Sequence, residues 1–319
     1  MSRKALIVGI NYYEHYKDLK GAVNDAYEVK SALERNGDGT LNFDALKLMV
    51  ASGEGDNISK HRLRKNIEGL FKGKDDTVLF YFAGHGHVEN TGGFILASDN
   101  ENGHDGVSLD DIMLFANESR ARNKIIILDC CHSGIAGALR HLDNKSLLAE
   151  GITILTASSE EQYASEINGS GVFTSLLVDA LNGGAANLLG QITPGSIYAH
   201  IDQSLGGWQQ RPIFKTNIEY FVSLKTVNPP ISLVDLKRIT ELFKNKADEV
   251  NLDPTYEHTS DTMIPEHSEK FNVLQRYNRV NLVIPVDAVH MFDAAMESKS
   301  CKLTVLGQHY WNLVHKNRI

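Results

Sequence analysis

Cysteine is scarce, with three in 319 residues, and two of them, Cys130 and Cys131, are neighbours. That count excludes a disulfide-stapled scaffold, because adjacent cysteines are poorly placed to pair with each other. A reducing, cytoplasmic setting is the expectation. Long apolar runs are also missing: none approaches the ~20 residues that a helix needs to cross a bilayer. Met1-Ser-Arg-Lys leads straight into a strand pattern with nothing like a signal peptide, so no membrane partner is expected. Basic residues are in deficit, 32 Lys and Arg against 40 Asp and Glu for a net charge of -8. They are scattered, which argues against a nucleic-acid surface.

What is present is an ordinary globular composition, 42% apolar, enough for a sizeable core. Short aliphatic runs alternate with helical patterns. Ala5–Ile10, Leu46–Val50, Thr77–Phe82, Ile125–Asp129 and Ile152–Thr156 read as strands, Ile213-Phe and Tyr220–Leu224 close the unit, and the count is about six strands. Between them, 22–35 carries apolar residues at helical spacing and stops at Asn36-Gly37. Ser59 would cap a helix bearing Leu63, Ile67, Leu70 and Phe71. Ser108-Leu-Asp-Asp111 opens another, 172–181 a further one, and Pro194 the last. This alternation predicts an α/β fold, a mostly parallel sheet covered on both faces. After Thr226-Val-Asn-Pro-Pro230 the rhythm stops. The expectation is a first domain over 1–225 and a small, mainly helical module over 231–319. In that module 233–250 reads as one amphipathic helix and Leu303–Leu306 as a short strand or wing.

Two strands end in reactive clusters. Thr77–Phe82 breaks into Ala83-Gly84-His85-Gly86-His87, and Ile125–Leu128 into Asp129-Cys130-Cys131-His132-Ser133-Gly134. In open α/β sheets the working groups lie beyond the carboxyl ends of strands. A thiol attacks as thiolate and needs a base, and imidazole titrates near neutrality. If these strands are parallel neighbours, His85 and Cys131 emerge on one edge. The flanking glycines let a substrate backbone approach, and the amides of Gly86 and Cys131 would face an oxyanion.

Tyr81-Phe-Ala-Gly-His85-Gly and Asp129-Cys-Cys131-His-Ser-Gly134 resemble the two signatures of the caspase-like cysteine peptidases. Leu6-Ile-Val-Gly-Ile-Asn-Tyr12 and Gly21-Ala-Val-Asn-Asp25 resemble the metacaspase and bacterial caspase-homologue branch in particular. The likeness runs over roughly residues 4–224. Caspases place the histidine about 50 residues ahead of the cysteine, a family spacing and not a deduction from this chain. The resemblance implies a caspase-like three-layer αβα fold and cleavage of protein or peptide substrates, with Cys131 as nucleophile and His85 as general base. It puts Cys130 where the family has a small residue, so Cys130 reads as core packing. Asp25 and Asp129 match the acidic pair that holds a basic P1 side chain in the metacaspase branch, which implies cleavage after Arg or Lys. Ala22 and Ala83 stand where that pocket often has Cys and Ser.

His85, His87, Asp129, Cys130, Cys131 and His132 contain zinc-ligand types, but adjacent residues on an extended chain point to alternating faces. No metal is expected at the site and no cofactor for the chemistry. Calcium activation occurs in many metacaspases. Asp99, Asp110 and Asp111 lie in a comparable region, yet position 138 is Ala and six to eight oxygens cannot be assembled. Arg140 and Lys145, in a polar stretch after the nucleophile, are candidate self-cleavage points. A different class is a caspase-fold scaffold without turnover, acting through its C-terminal module. That module, with Phe271, Tyr277, Met291, Phe292, Met296, Tyr310 and Trp311, would form a small core and a surface for an activating or recruiting protein. Cys301, His290, His309 and His315 in it read as ordinary residues.

Overall fold

The computed structural model describes residues 2–89, 92–130, 148–157, 166–167, 170–205, 211–219 and 221–319, and for 166, 167 and 170 only the backbone. The chain forms two compact units, Met1–Ala186 with Gln191–Asn228, and Asn187–Gly190 with Pro229–Ile319.

The first unit is built on β1 (Arg3–Ile10), α1 (Ala22–Glu34), β2 (Ala45–Ala51), α2 (Lys60–Phe71) and β3 (Thr77–Ala83). A hairpin of β4 (Gly86–Glu89) and β5 (Gly92–Ile95) follows, and β6 (Val107–Ser108) pairs with β5. Then come α3 (Leu109–Glu118), β7 (Asn123–Asp129) and β8 (Ile152–Thr156). The short β9 (Glu166–Ile167) and β10 (Ser170–Gly171) lead into α4 (Val172–Asp179), which continues as a π-helical turn over Ala180–Gly184. After it lie β11 (Gln191–Ile192), α5 (Pro194–Ser204), β12 (Ile213–Asn217) and β13 (Lys225–Thr226).

The main sheet has six strands in the order β12-β8-β7-β3-β1-β2. All neighbours are parallel except β12 against β8. Its central strands are aliphatic on both faces because both faces are covered. Leu6, Val8, Phe80, Phe82, Ile126 and Leu128 pack towards α2 and α3, while Ala5, Ile7, Leu79, Tyr81, Ile125 and Ile127 pack towards α1, α4 and α5. This is the three-layer αβα arrangement. Gly9 sets how closely α1 approaches: a Cβ there would stand 2.3 Å from the Ala22 carbonyl oxygen and 2.7 Å from Ala26 Cβ. The helix starts follow local chemistry. Ser59 Oγ accepts the Arg62 amide and Ser108 Oγ the Asp110 amide, as side-chain caps do. The last strand is 213–217; residues 221–224 are not a strand, and the chain next pairs at Lys225–Thr226 with β11.

The second unit packs α6 (Leu233–Lys237), α7 (Ile239–Leu242), α8 (Pro265–Arg279), α9 (Met291–Met296) and α10 (Val305–His315) on a small antiparallel sheet. Its strands are β14 (Glu249–Asn251), β15 (Val283–Val286) and β16 (Ser300–Leu303), in the order β14-β16-β15. The helix expected over 233–250 is instead two short helices and a strand. Asn245 to Asp248 folds on itself, with the Asn245 amide donating to Asp248 Oδ2 at 2.7 Å, a local bond that competes with helix. Likewise β16 ends at Leu303, and Val305 already begins α10. Phe243, Phe271, Leu274, Tyr277 and Trp311 form the core, and the Trp311 indole donates to the Phe243 carbonyl at 2.8 Å. Among the described residues no helix is long and apolar enough to cross a membrane.

Candidate active site

The register of the central strands brings the ends of β3 and β7, where the two reactive clusters begin, side by side. β3 and β7 are parallel neighbours, and Ala83 pairs with Asp129. Two residues further along each chain are His85 and Cys131. His85 lies among the described residues; Cys131, with Arg140, Lys145, His132 and position 138, lies outside them.

His85 is held by the loop after β1. Its amide donates to Tyr13 Oη at 2.8 Å and its Nε2 lies 2.7 Å from the Lys17 carbonyl. A carbonyl can only accept, so Nε2 carries the proton and Nδ1 of the neutral ring keeps its lone pair. The Tyr13 ring leans on the imidazole at 4.7 Å. Gly84 makes this possible, since a Cβ there would lie 2.6 Å from Tyr13 Oη. The loop itself is tied down: the Asn11 and Tyr12 amides donate to the Ala51 carbonyl, the Tyr13 amide to Asp18 and the Glu14 amide to the Ser98 carbonyl. Burial pushes the Tyr13 phenol far up, so it stays a neutral hydrogen-bonding group. Gly86 opens β4 opposite Ile95 and is partly exposed.

The two expected pocket carboxylates meet at the start of α4. Asp25, on the buried face of α1, is 4% exposed and Asp129 is 9% exposed. The Gly171 amide donates to Asp25 Oδ1 at 3.3 Å. The Thr174 hydroxyl donates to Asp129 Oδ2 at 2.6 Å, and the Thr174 amide bonds it too. Tyr81 Oη lies 2.6 Å from Thr174 Oγ1. A Cβ on Gly171 would sit 2.9 Å from Asp129 Oδ2 and 3.6 Å from Asp25 Oδ2, so both acids border the space that this glycine leaves open. Burial pushes the Asp129 carboxyl up to about 6, against the downward pull of the two Thr174 hydrogen bonds.

Cys130 points away from this pocket. It is 5% exposed and packs with Leu128 and Phe82 in the core on the α2/α3 face, as strand alternation demands. His87 turns to Glu89 at 3.2 Å, so it does not join His85 and Asp129. The three aspartates of the calcium comparison are engaged elsewhere or separate. Asp99 accepts the Lys60 amide at 2.8 Å and Asp111 pairs with Arg64 at 3.3 Å. Among the described residues no group of three or more His, Cys, Asp or Glu side chains fits a metal ion, and no step is routed through calcium. Cys301 is buried in the second unit, where burial and then Glu249 push its thiol up to about 12, unsuited to attack. Tyr13, the Lys17 carbonyl, Gly171 and Thr174 escaped the sequence reading. Only the Tyr-rich stretch 12–16 hinted at any of them.

Residues 2–222 match the caspase domain, peptidase C14. The chain belongs to this family. Among curated proteins, the caspase-domain chain is 26% identical over 211 residues to metacaspase-1 of Sclerotinia sclerotiorum, covering 59% of this chain and 45% of that one. It is 25% identical over 209 residues to metacaspase-3 of Trypanosoma cruzi, covering 53% and 56%. The chain thus spans about half the length of the curated relatives it matches. Solved structures agree on the fold. Protein GSU0716 from Geobacter sulfurreducens superposes with a TM-score of 0.53 at 17% identity, over 72% of this chain and all of that one. Caspase-1 from Spodoptera frugiperda does so with a TM-score of 0.52 at 12% identity, over 71% and 90%.

Proposed function

We propose that this caspase-domain chain is a cysteine endopeptidase that cleaves protein substrates after Arg or Lys. The observation that supports the reading is the β3–β7 register: Ala83 pairs with Asp129 on adjacent parallel strands, and His85 and Cys131 each follow two residues later in the sequence. Cys131 gives its proton to His85 Nδ1 and attacks the scissile carbonyl. The amides of Gly86 and Cys131 receive the oxyanion. His85 then returns the proton to the leaving amine, and water, deprotonated by the same imidazole, releases the acyl group from sulfur. The Lys17 carbonyl keeps Nε2 protonated and the ring oriented through the cycle. Asp25 and Asp129 supply the negative charge that a basic P1 side chain needs. Self-cleavage at Arg140 or Lys145 and recruitment of a partner protein through residues 229–319 belong to the same proposal.

The test is a fluorogenic peptide library read with wild type and Cys131→Ala, alongside iodoacetamide labelling and intact mass. Turnover confined to Arg and Lys at P1, lost by at least about 10³-fold in Cys131→Ala, with label on Cys131, supports the proposal. A preference for Asp at P1, or a Cys131 that resists alkylation with no turnover, overturns it. An active chain whose mass stays intact removes self-cleavage alone.

A further inference from the structure

The buried hydroxyl of Thr174 has no part in the chemistry just described, yet it touches the acid that reads the substrate. Thr174 is fully buried, as is Tyr81. Thr174 has one hydroxyl proton, and it goes to Asp129 Oδ2. The contact at 2.6 Å between Thr174 Oγ1 and Tyr81 Oη must then run the other way, with the phenol donating. The chain of bonds is directional: Tyr81 to Thr174 to Asp129. It suits the Asp129 anion best, because a carboxylate is the stronger acceptor. A neutral Asp129 keeps the chain only with its proton on Oδ1; a proton on Oδ2 would have to donate to Thr174, turn the threonine proton onto Tyr81, and cost the phenol its acceptor.

We infer that Thr174 is a positioning residue for substrate choice: relayed from Tyr81, its hydroxyl aims the Asp129 carboxylate at the space beside Gly171 and Asp25 and keeps it anionic for a guanidinium or ammonium group. The inference rests on the reading of this pocket as the one for a basic P1 side chain, and it names what tunes that pocket. Among the described residues the charged and titratable groups around the acid are few. Asp25 faces it from α1, Tyr81 from β3, and Glu28, a turn further along α1, acts on Tyr81. Gly171 of β10 and Thr174 of α4 also border it, and neither titrates. Burial alone would drive Asp129 towards the neutral acid, and the bonds from Thr174 oppose that drift.

The experiment uses the full chain as wild type, Thr174→Val and Thr174→Ser, with agmatine as the probe, since it is decarboxylated arginine and keeps the guanidinium at the end of its chain. Binding is measured by calorimetry from pH 5 to pH 8. Circular dichroism checks folding, and the ratio of kcat/KM for Arg over citrulline at P1 is recorded in parallel. In wild type, agmatine binding falls as pH drops through about 6. Thr174→Val, nearly the same shape without the donor, moves that fall upward by about one pH unit, weakening binding about tenfold midway. Thr174→Ser keeps the wild-type profile. An unshifted Thr174→Val profile, an equal shift in Thr174→Ser, or no agmatine binding by wild type at any pH overturns the inference. Wild type that cleaves after Arg with an unshifted valine variant sinks the relay and spares the peptidase reading. Agmatine binding with the expected shift but no peptide cleavage does the reverse.

Discussion

The two ends of the central sheet treat charge in opposite ways. At the amino end of β1, β3 and β7, charged side chains are paired within the fold, although buried Arg3 Nε makes no hydrogen bond. Arg3 reaches Asn42 Oδ1 at 2.8 Å and the Leu224 carbonyl at 2.7 Å, and lies over the Phe43 ring. Lys4 meets Asp75 at 3.0 Å, and buried Lys124 donates to the Glu150 carbonyl at 2.6 Å. At the carboxyl end, Asp129 is buried against neutral donors from Thr174, and His85 is propped by a phenol and a carbonyl. A cavity of about 400 Å³ lies at the amino end, lined by Arg3, Asp76, Arg122 and Phe221 among others. The lesson is that the hollow at the amino end is lined by charges paired within the fold, whereas the proposed pocket at the carboxyl end holds an acid whose bonds from Thr174 are neutral.

The largest test of this contrast is Asp129→Asn. It should cut kcat/KM for Arg at P1 by about 100-fold at pH 8, the scale of a lost charge-assisted bond. It should also stabilise the fold there. The folded carboxyl titrates near 6, above ~3.9 for an unfolded Asp. Its contribution is therefore intact below ~4 and lost as pH rises through 6. Removing the charge returns about 1–3 kcal/mol at pH 8 and almost nothing at pH 4. Urea unfolding at both pH values measures it, and equal stability at pH 8 would break the contrast. Next in size is Arg3→Met, at the matched end. Losing bonds to Asn42, Ser223 and Leu224 should cost about 2 kcal/mol and leave P1 preference unchanged. A shift in preference would mean that the ends are coupled. Smallest is Cys130→Ala, about 1 kcal/mol, with alkylation of Cys131 retained; loss of that label would show that the wrong thiol had been assigned.

Much of the first unit was legible in the sequence because its strands are buried on both faces, so aliphatic runs stand out between helical patterns. His85, Asp25 and Asp129 were singled out because their side chains carry the resemblance. Lys17 was not, because it acts through a main-chain carbonyl, which any residue has. Thr174 was not, because its partner is 45 residues away in sequence and a buried hydroxyl has no spacing to betray it. The second unit was read less well. Periodicity over 233–250 saw the apolar face but not the Asn245–Asp248 turn, whose side-chain bonds end the helix. Cys130 was read as core packing because the resemblance puts a small residue there and an extended chain turns it away from its neighbours, and its packing with Leu128 agrees.

Gly9 has a reach well beyond its own strand. It lets the backbone of β1 lie almost against Ala22 and Ala26, and Asp25 sits between those two residues on the same helix. A single methyl group there would act as a shim under α1, lifting Asp25 from the proposed pocket while leaving the pocket's sequence unchanged. The proposed preference for a cationic side chain thus depends partly on a hydrogen atom beneath a helix.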